Sequence, residues 1–118
     1  FPTRRSSDLY LSKSPGSRIH GNTVYLAGQV ASDTSGDTTA QTKVILGQID
    51  KLLAAAGTDK TKILSVTIYL KDMADYAGLN EVYDSWVAEG AAPARACLEA
   101  KLYDPRVLVE MMVVAAQA

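Results

Sequence analysis

The sequence predicts an α/β sandwich, with two helices packed on one face of a mixed sheet. Two observations carry that expectation. Apolar residues recur at helical spacing in two segments and at strand spacing in the others, in the order strand, strand, helix, strand, helix, strand, strand. Both helical segments carry a one-sided apolar stripe, so each needs a sheet to cover it.

The first strands run from about Arg18 to His20 and, across a turn at Gly21-Asn22, from Thr23 to Val30. Strict alternation puts Val24, Leu26, Gly28 and Val30 on one face and Tyr25, Ala27 and Gln29 on the other. A glycine inside a strand marks either a bulge or a close approach of backbone or ligand, so Gly28 is a candidate for both.

Ser32 to Asp37 is polar and reads as a loop. Thr38 with Gln41 three residues later fits a capping box, and Val44, Ile45, Ile49, Leu52 and Leu53 follow at helical spacing up to Gly57, a C′ glycine. The next strand, Lys62 to Leu70, is β-branched, with Leu64, Val66, Ile68 and Leu70 expected toward the core. Asp72 is placed to cap the second helix, whose stripe is Tyr76, Leu79, Val82, Tyr83, Trp86 and Val87 and whose end is Gly90. Asn80 lies one residue from that stripe, where its amide reaches either a site or solvent.

The C-terminal segment, Pro93 to Val114, reads as a β-hairpin about the turn signal Asp104-Pro105. Alternation assigns Ala94, Ala96, Leu98, Ala100 and Leu102 to one face and Arg95, Cys97, Glu99 and Lys101 to the other. With Leu102 opposite Val107, Leu98 would face Met111, Cys97 Met112 and Glu99 Glu110, and two carboxylates would meet. Such a pair raises the proton affinity of one member, and a nearby arginine can hold a carboxylate through two parallel hydrogen bonds. The same pattern also fits an internal salt-bridge network. The sheet face away from the helices would then display Tyr25, Ala27, Tyr69, Cys97, Leu108, Met112 and Val114, too apolar for water and suited to self-association.

Composition narrows the functional classes. The chain has 118 residues, 47% apolar and 21% charged, with a formal net charge of −1. That is enough for one core, and it offers no broad attraction for nucleic acid. No run is long enough to span a membrane. A single cysteine excludes an internal disulfide and fits a reducing cytosol, hence a cytoplasmic protein. A single histidine, His20, excludes a multi-histidine metal site within one chain. Phe1 to Leu9 has no initiator methionine and no apolar signal region, and it is similar to one translated frame of a common sequencing adapter. It is expected to be non-native or disordered, leaving residues 10–118 as a single domain.

Gly21-Asn-Thr-Val-Tyr-Leu-Ala-Gly-Gln29, Gln48-Ile-Asp50 with Leu52-Leu53 and Gly57, and above all Pro93-Ala-Arg-Ala-Cys97 with Val109-Glu110 resemble the reactive-intermediate deaminase family, called Rid or YjgF-like. The resemblance runs from about His20 to the C terminus. It implies a chorismate-mutase-like fold assembled as a homotrimer, with ligand sites in clefts between subunits. It also implies hydrolysis of reactive 2-imino acids to 2-keto acids and ammonia, with no cofactor. On this resemblance Arg95 binds the substrate carboxylate, Cys97 contributes backbone, Glu110 positions water or shuttles protons, and Asn80 lines the site. The expected partners are a small carboxylate substrate and two further copies of the chain, with neither nucleic acid nor membrane.

In the hairpin register Glu110 lies four residues from the position opposite Arg95, roughly 13 Å along the strand. A shared ligand would therefore need a bulge or a Glu110 from a neighbouring subunit. Active members of the best-known subgroup carry a Gly-Pro-Tyr-Ser type motif before the first strands. Here the comparable region reads Lys13-Ser-Pro-Gly-Ser-Arg18, without that tyrosine, and is closer to branches whose substrates are poorly defined. Two other readings remain: a non-catalytic module that binds a small carboxylate metabolite in the same cleft, and an RNA-cleaving or chaperone-like role, which the charge disfavours.

Overall fold

The first hairpin follows from its turn. Gly21 has φ +60, the left-handed conformation that a two-residue turn of the primed kind requires at its first central position. It pairs β1 (Ser17–His20) with β2 (Thr23–Leu26), Ile19 facing Val24 and His20 facing Thr23. This computed structural model describes residues 16–118, so the expectation for Phe1 to Leu9 and most of the segment before β1 lies outside the described residues.

Gly28 does interrupt the strand. The chain leaves the ladder after Leu26 and resumes as β3 (Gln29–Val30), and the register steps by one residue between Tyr25 opposite Val114 and Gln29 opposite Met111. Strict alternation therefore fails here. Gln29 turns to the helix side and is buried, its Oε1 accepting from Nε2 of Gln48, and that same Nε2 donates to the Val30 carbonyl. Gln48 Oε1 in turn accepts from the Ser32 amide at 2.9 Å, so one helical glutamine holds the frayed strand end.

Helix α1 (Thr38–Ala55) is capped by Asp37, whose side chain accepts from the Ala40 amide, rather than by Thr38 in a capping box. Thr38 is one residue inside and buried, its hydroxyl donating to Asp75 at 2.7 Å. Gln41 is buried too and serves the loops. The stripe Ile45, Leu46, Ile49 and Leu53 is buried, and Gly57, at φ +80, closes the C terminus.

Strand β4 (Ile63–Leu70) opens with a bulge between Ile63 and Ser65 that puts Ile63 in the core position expected for Leu64, which is 52% exposed. Val66, Ile68 and Leu70 point inward as expected. Asp72 caps, through the Ala74 amide, a single 3-10 turn that feeds helix α2 (Tyr76–Trp86). Leu79, Val82 and Tyr83 are the buried residues of α2, and Val87 rather than Gly90 follows its last turn.

The C-terminal hairpin does not form. Strand β5 (Ala94–Glu99) is parallel to β4 and paired only with it, at the sheet edge, while β6 (Val109–Ala116) lies in the middle, antiparallel to β4 on one side and to β2 and β3 on the other. The reason is connectivity: β4, α2 and β5 form a parallel crossover unit, and its helix covers the sheet. Residues 100–108 then cross the end of β4, held by Ala100 N donating to Leu70 O and Lys71 N to Leu108 O. Strand β6 buries Val109, Met111, Val113 and Ala115 on the helix side, and Met112, on its other face, is 43% exposed.

This topology inverts the expected faces of β5. Residues directly opposite in adjacent strands share a face, and Arg95 and Cys97 lie opposite Val66 and Ile68, on the helix side. Ala94, Ala96 and Leu98 join Tyr69, Met112, Val114 and Tyr25 on the face the helices leave uncovered. There Tyr25, Leu98 and Met112 are 48%, 44% and 43% exposed. The uncovered apolar face is as expected in kind, with Leu98 rather than Cys97 on it.

Candidate functional site

Arg95 is the second residue of the edge strand β5, just after Pro93, and α2 passes over it. Tyr76, Asn80, Tyr83 and Asp84, spaced by four, three and one residues, share the helix face that overlooks β5. Together with Val87, Ala92, Pro93 and Arg95 they line a cleft of about 350 Å³.

Two tyrosines cradle the guanidinium. Nη2 of Arg95 donates to the Tyr76 hydroxyl at 3.1 Å, and the guanidinium carbon lies 4.8 Å from the centre of the Tyr83 ring and 5.7 Å from that of Tyr76. Cation–π contacts of this kind are each worth about 0.5–1 kcal/mol at exposed sites, and they orient the side chain without consuming its remaining N–H donors. Helical spacing assigns both tyrosines to a core stripe, which holds for Tyr83, buried in the core cluster, but not for the exposed Tyr76. The missed signal is that Tyr76, Asn80 and Tyr83 recur at helical spacing on the flank facing the edge strand, where the cover is thin.

Asn80 reaches the site. Its Oδ1 and the hydroxyl of Tyr83 are buried without a hydrogen-bond partner among the described residues. Burial raises the Tyr83 phenol above its ordinary value, with Arg95 pulling it down and Asp84 pushing it up. Cys97, two residues along from Arg95, is half-buried and packs against the core, and burial pushes its thiol up more than Arg95 pulls it down. It is a neutral thiol at pH 7, which suits a backbone role and not a thiolate nucleophile.

The remaining residues are elsewhere. Glu110 lies opposite Tyr69 and Val30, on the uncovered face, whereas Arg95 is on the helix face. Within one chain the sheet separates them. A titratable neighbour of Glu110 is Tyr103, whose phenol is raised first by burial, then by Asp104 and, more weakly, by Glu110. Glu99 does not face Glu110: β4 runs between their strands, and Glu99 instead accepts from the Met73 amide at 3.0 Å, fastening the turn before α2. The coupled carboxylate pair expected from the hairpin is thus absent. His20 is exposed on β1. Among the described residues, no group of three or more His, Cys, Asp or Glu is placed to hold a metal ion, and no helix is long and apolar enough to cross a membrane.

The family model described as Endoribonuclease L-PSP matches residues 14–117. A RutC family protein of Haemophilus ducreyi is 47% identical over 98 residues, 83% of this chain and 84% of that one. The chain belongs to the Rid/YjgF-like family. The RutC family protein YoaB of Escherichia coli is 42% identical, over 83% of this chain and 85% of its own. Among solved structures, a protein of Pseudomonas aeruginosa matches with TM-score 0.88 and 53% identity, covering 91% of this chain and 93% of that one. NMB1025 of Neisseria meningitidis, a member of the YjgF protein family, matches with TM-score 0.86 and 42% identity over 90% and 88% of the two chains. The Rid/YjgF-like fold, a mixed sheet under two helices, is therefore the one described above.

Proposed function

We propose that this Rid/YjgF-like protein hydrolyses reactive 2-imino acids, with Arg95 holding the substrate carboxylate. The observation that carries the reading is the cradled guanidinium at the mouth of the α2–β5 cleft. Water adds to the C=N carbon of the bound iminium, the C–N bond breaks as the carbonyl forms, and the products are a 2-keto acid and ammonium. Little besides orientation and a proton relay is needed. Glu110 is the proton relay in this reading, supplied by a neighbouring subunit of a homotrimer assembled through the uncovered face on which it lies. Cys97 contributes backbone, Asn80 lines the cleft, and the reaction calls for no cofactor. A solved relative from a Psychrobacter species, RidA, is 26% identical to this chain with TM-score 0.80, and its name points the same way.

One observation favours a second reading. Because Arg95 and Glu110 are on opposite faces of one chain's sheet, a subunit alone offers a carboxylate anchor without the relay, as a non-catalytic carboxylate-binding module would.

The test is ammonium release from freshly generated 2-iminobutanoate. Arg95→Ala is expected to lower the rate about 10- to 100-fold, the worth of one charge-assisted hydrogen-bonding pair. Glu110→Gln should lower turnover while sparing carboxylate binding. Carboxylate binding that depends on Arg95, with no turnover by the wild-type chain, would select the module instead.

A further inference from the structure

The cleft has a second pole. Besides Arg95 it is lined by Asp84, a solvent-exposed carboxylate on α2, and by Asn80 and Tyr83, whose Oδ1 and hydroxyl are buried without partners among the described residues. Tyr83 is only 5% exposed. A buried polar atom left unpaired costs about 1–3 kcal/mol, so such atoms beside a cleft call for a ligand or water that pairs them. Arg95 directs a hydrogen bond to the Tyr76 hydroxyl at 3.1 Å, and among the described residues no ion pair joins it to Asp84. The phenol of Tyr83 feels both charges.

Apart from Arg95, the polar groups at this end of the cleft are therefore acceptors or can act as acceptors: a carboxylate, an amide oxygen and a hydroxyl. Acceptors recognise N–H donors, and a carboxylate favours a cationic one. From this we propose that the cleft is a two-pole receptor for small zwitterions, with Arg95 taking the carboxylate and Asp84, helped by Asn80 and Tyr83, taking a protonated nitrogen on the adjacent carbon. The ligand class is 2-iminium and 2-amino acids. The proposal rests on Arg95 as carboxylate anchor and adds the residues that read the nitrogen. It also orders the reaction: a 2-keto acid has lost its cationic nitrogen and with it one of the two holds, so product is bound more weakly than substrate.

The test is calorimetric titration of the full chain with 2-aminobutanoate and with butanoate, which have the same carbon chain and differ in the ammonium group. The wild-type chain should bind 2-aminobutanoate roughly fivefold more tightly, as expected of one solvent-accessible charge pair. Asp84→Asn should abolish that preference, while Asp84→Glu should retain part of it. Asp84 is exposed at the cleft, so these variants are expected to fold, and an unchanged far-ultraviolet dichroism spectrum checks it. Equal binding of the two ligands by the wild-type chain, or a preference that survives Asp84→Asn, would overturn the second pole while leaving the anchor in place. Butanoate binding unaffected by Arg95→Ala, or no binding of either ligand, would overturn the anchor itself and this inference with it.

Discussion

Asp104 shows how a short turn sets the charge state of its own residue. Its Oδ1 accepts from the Arg106 amide at 2.8 Å and from Nε at 3.1 Å, and its Oδ2 from Nη2 at 2.8 Å. Side-chain and backbone hydrogen bonds from Arg106 lower the carboxyl from 3.8 to about 2. A folded-state pKa below the unfolded one means that the stabilisation is present above about pH 4 and fades as pH falls toward 2. A carbon-detected carboxyl titration should place the Asp104 midpoint near 2, and Arg106→Gln should return it toward the ordinary aspartate value. The turn was legible in Asp104-Pro105, because those residues bond locally. Its consequence for topology was not, since a turn fixes only where the chain reverses and not which strand it meets afterwards.

At the scale of elements, α1 is fastened to the crossing loop by one side chain. The buried Gln41 donates from Nε2 to the carbonyls of Gly36 at 3.1 Å and Arg106 at 2.9 Å, and its Oε1 accepts from the Leu108 amide at 3.0 Å. These bonds satisfy backbone that leaves β5 and enters β6, and so they help place the central strand. Gln41→Leu keeps the volume but removes the side-chain partner of the Leu108 N–H and of the Gly36 and Arg106 carbonyls, and should destabilise the fold by about 2–4 kcal/mol in urea unfolding. Loss of less than about 0.5 kcal/mol would show that water replaces the amide. By pattern alone Gln41 was half of a capping box. Asp37 performs the cap instead, because a box and a single aspartate cap leave the same local trace of polar residues before an apolar stripe.

At the scale of the whole molecule, the sheet is covered on one side only. Tyr25, Leu98 and Met112 present apolar surface on the other side, beside Glu110. Association of copies through this face would bury that surface and bring each Glu110 to a subunit boundary. The wild-type chain is expected to sediment as a trimer at micromolar concentration. Met112→Asp should shift it toward monomer without altering the dichroism of the subunit, since Met112 is 43% exposed there. A wild-type monomer would remove the uncovered face as the assembly surface and leave Glu110 without a route to Arg95.

The sequence by itself determined the class of each element, the stripes of both helices, the stop at Gly57 and the family, because periodicity, backbone conformation and motif spacing act over a few residues; at Gly28 it left a bulge and a close approach open, and the register step decided for the break. It also marked Arg95, since the Pro93-Ala-Arg-Ala-Cys97 motif is contiguous. The tertiary structure alone decided which strands pair. A central strand apolar on both faces can join any neighbour, and only the α2 crossover makes β5 parallel to β4 and sends β6 between β4 and β2. That choice set which face Arg95 and Cys97 occupy, separated Glu99 from Glu110, and brought Tyr76 and Tyr83 over the guanidinium with Asn80 and Asp84 in the same cleft. Side-chain alternation distinguishes two faces of a strand, but which one meets the helices depends on contacts made far away in the chain.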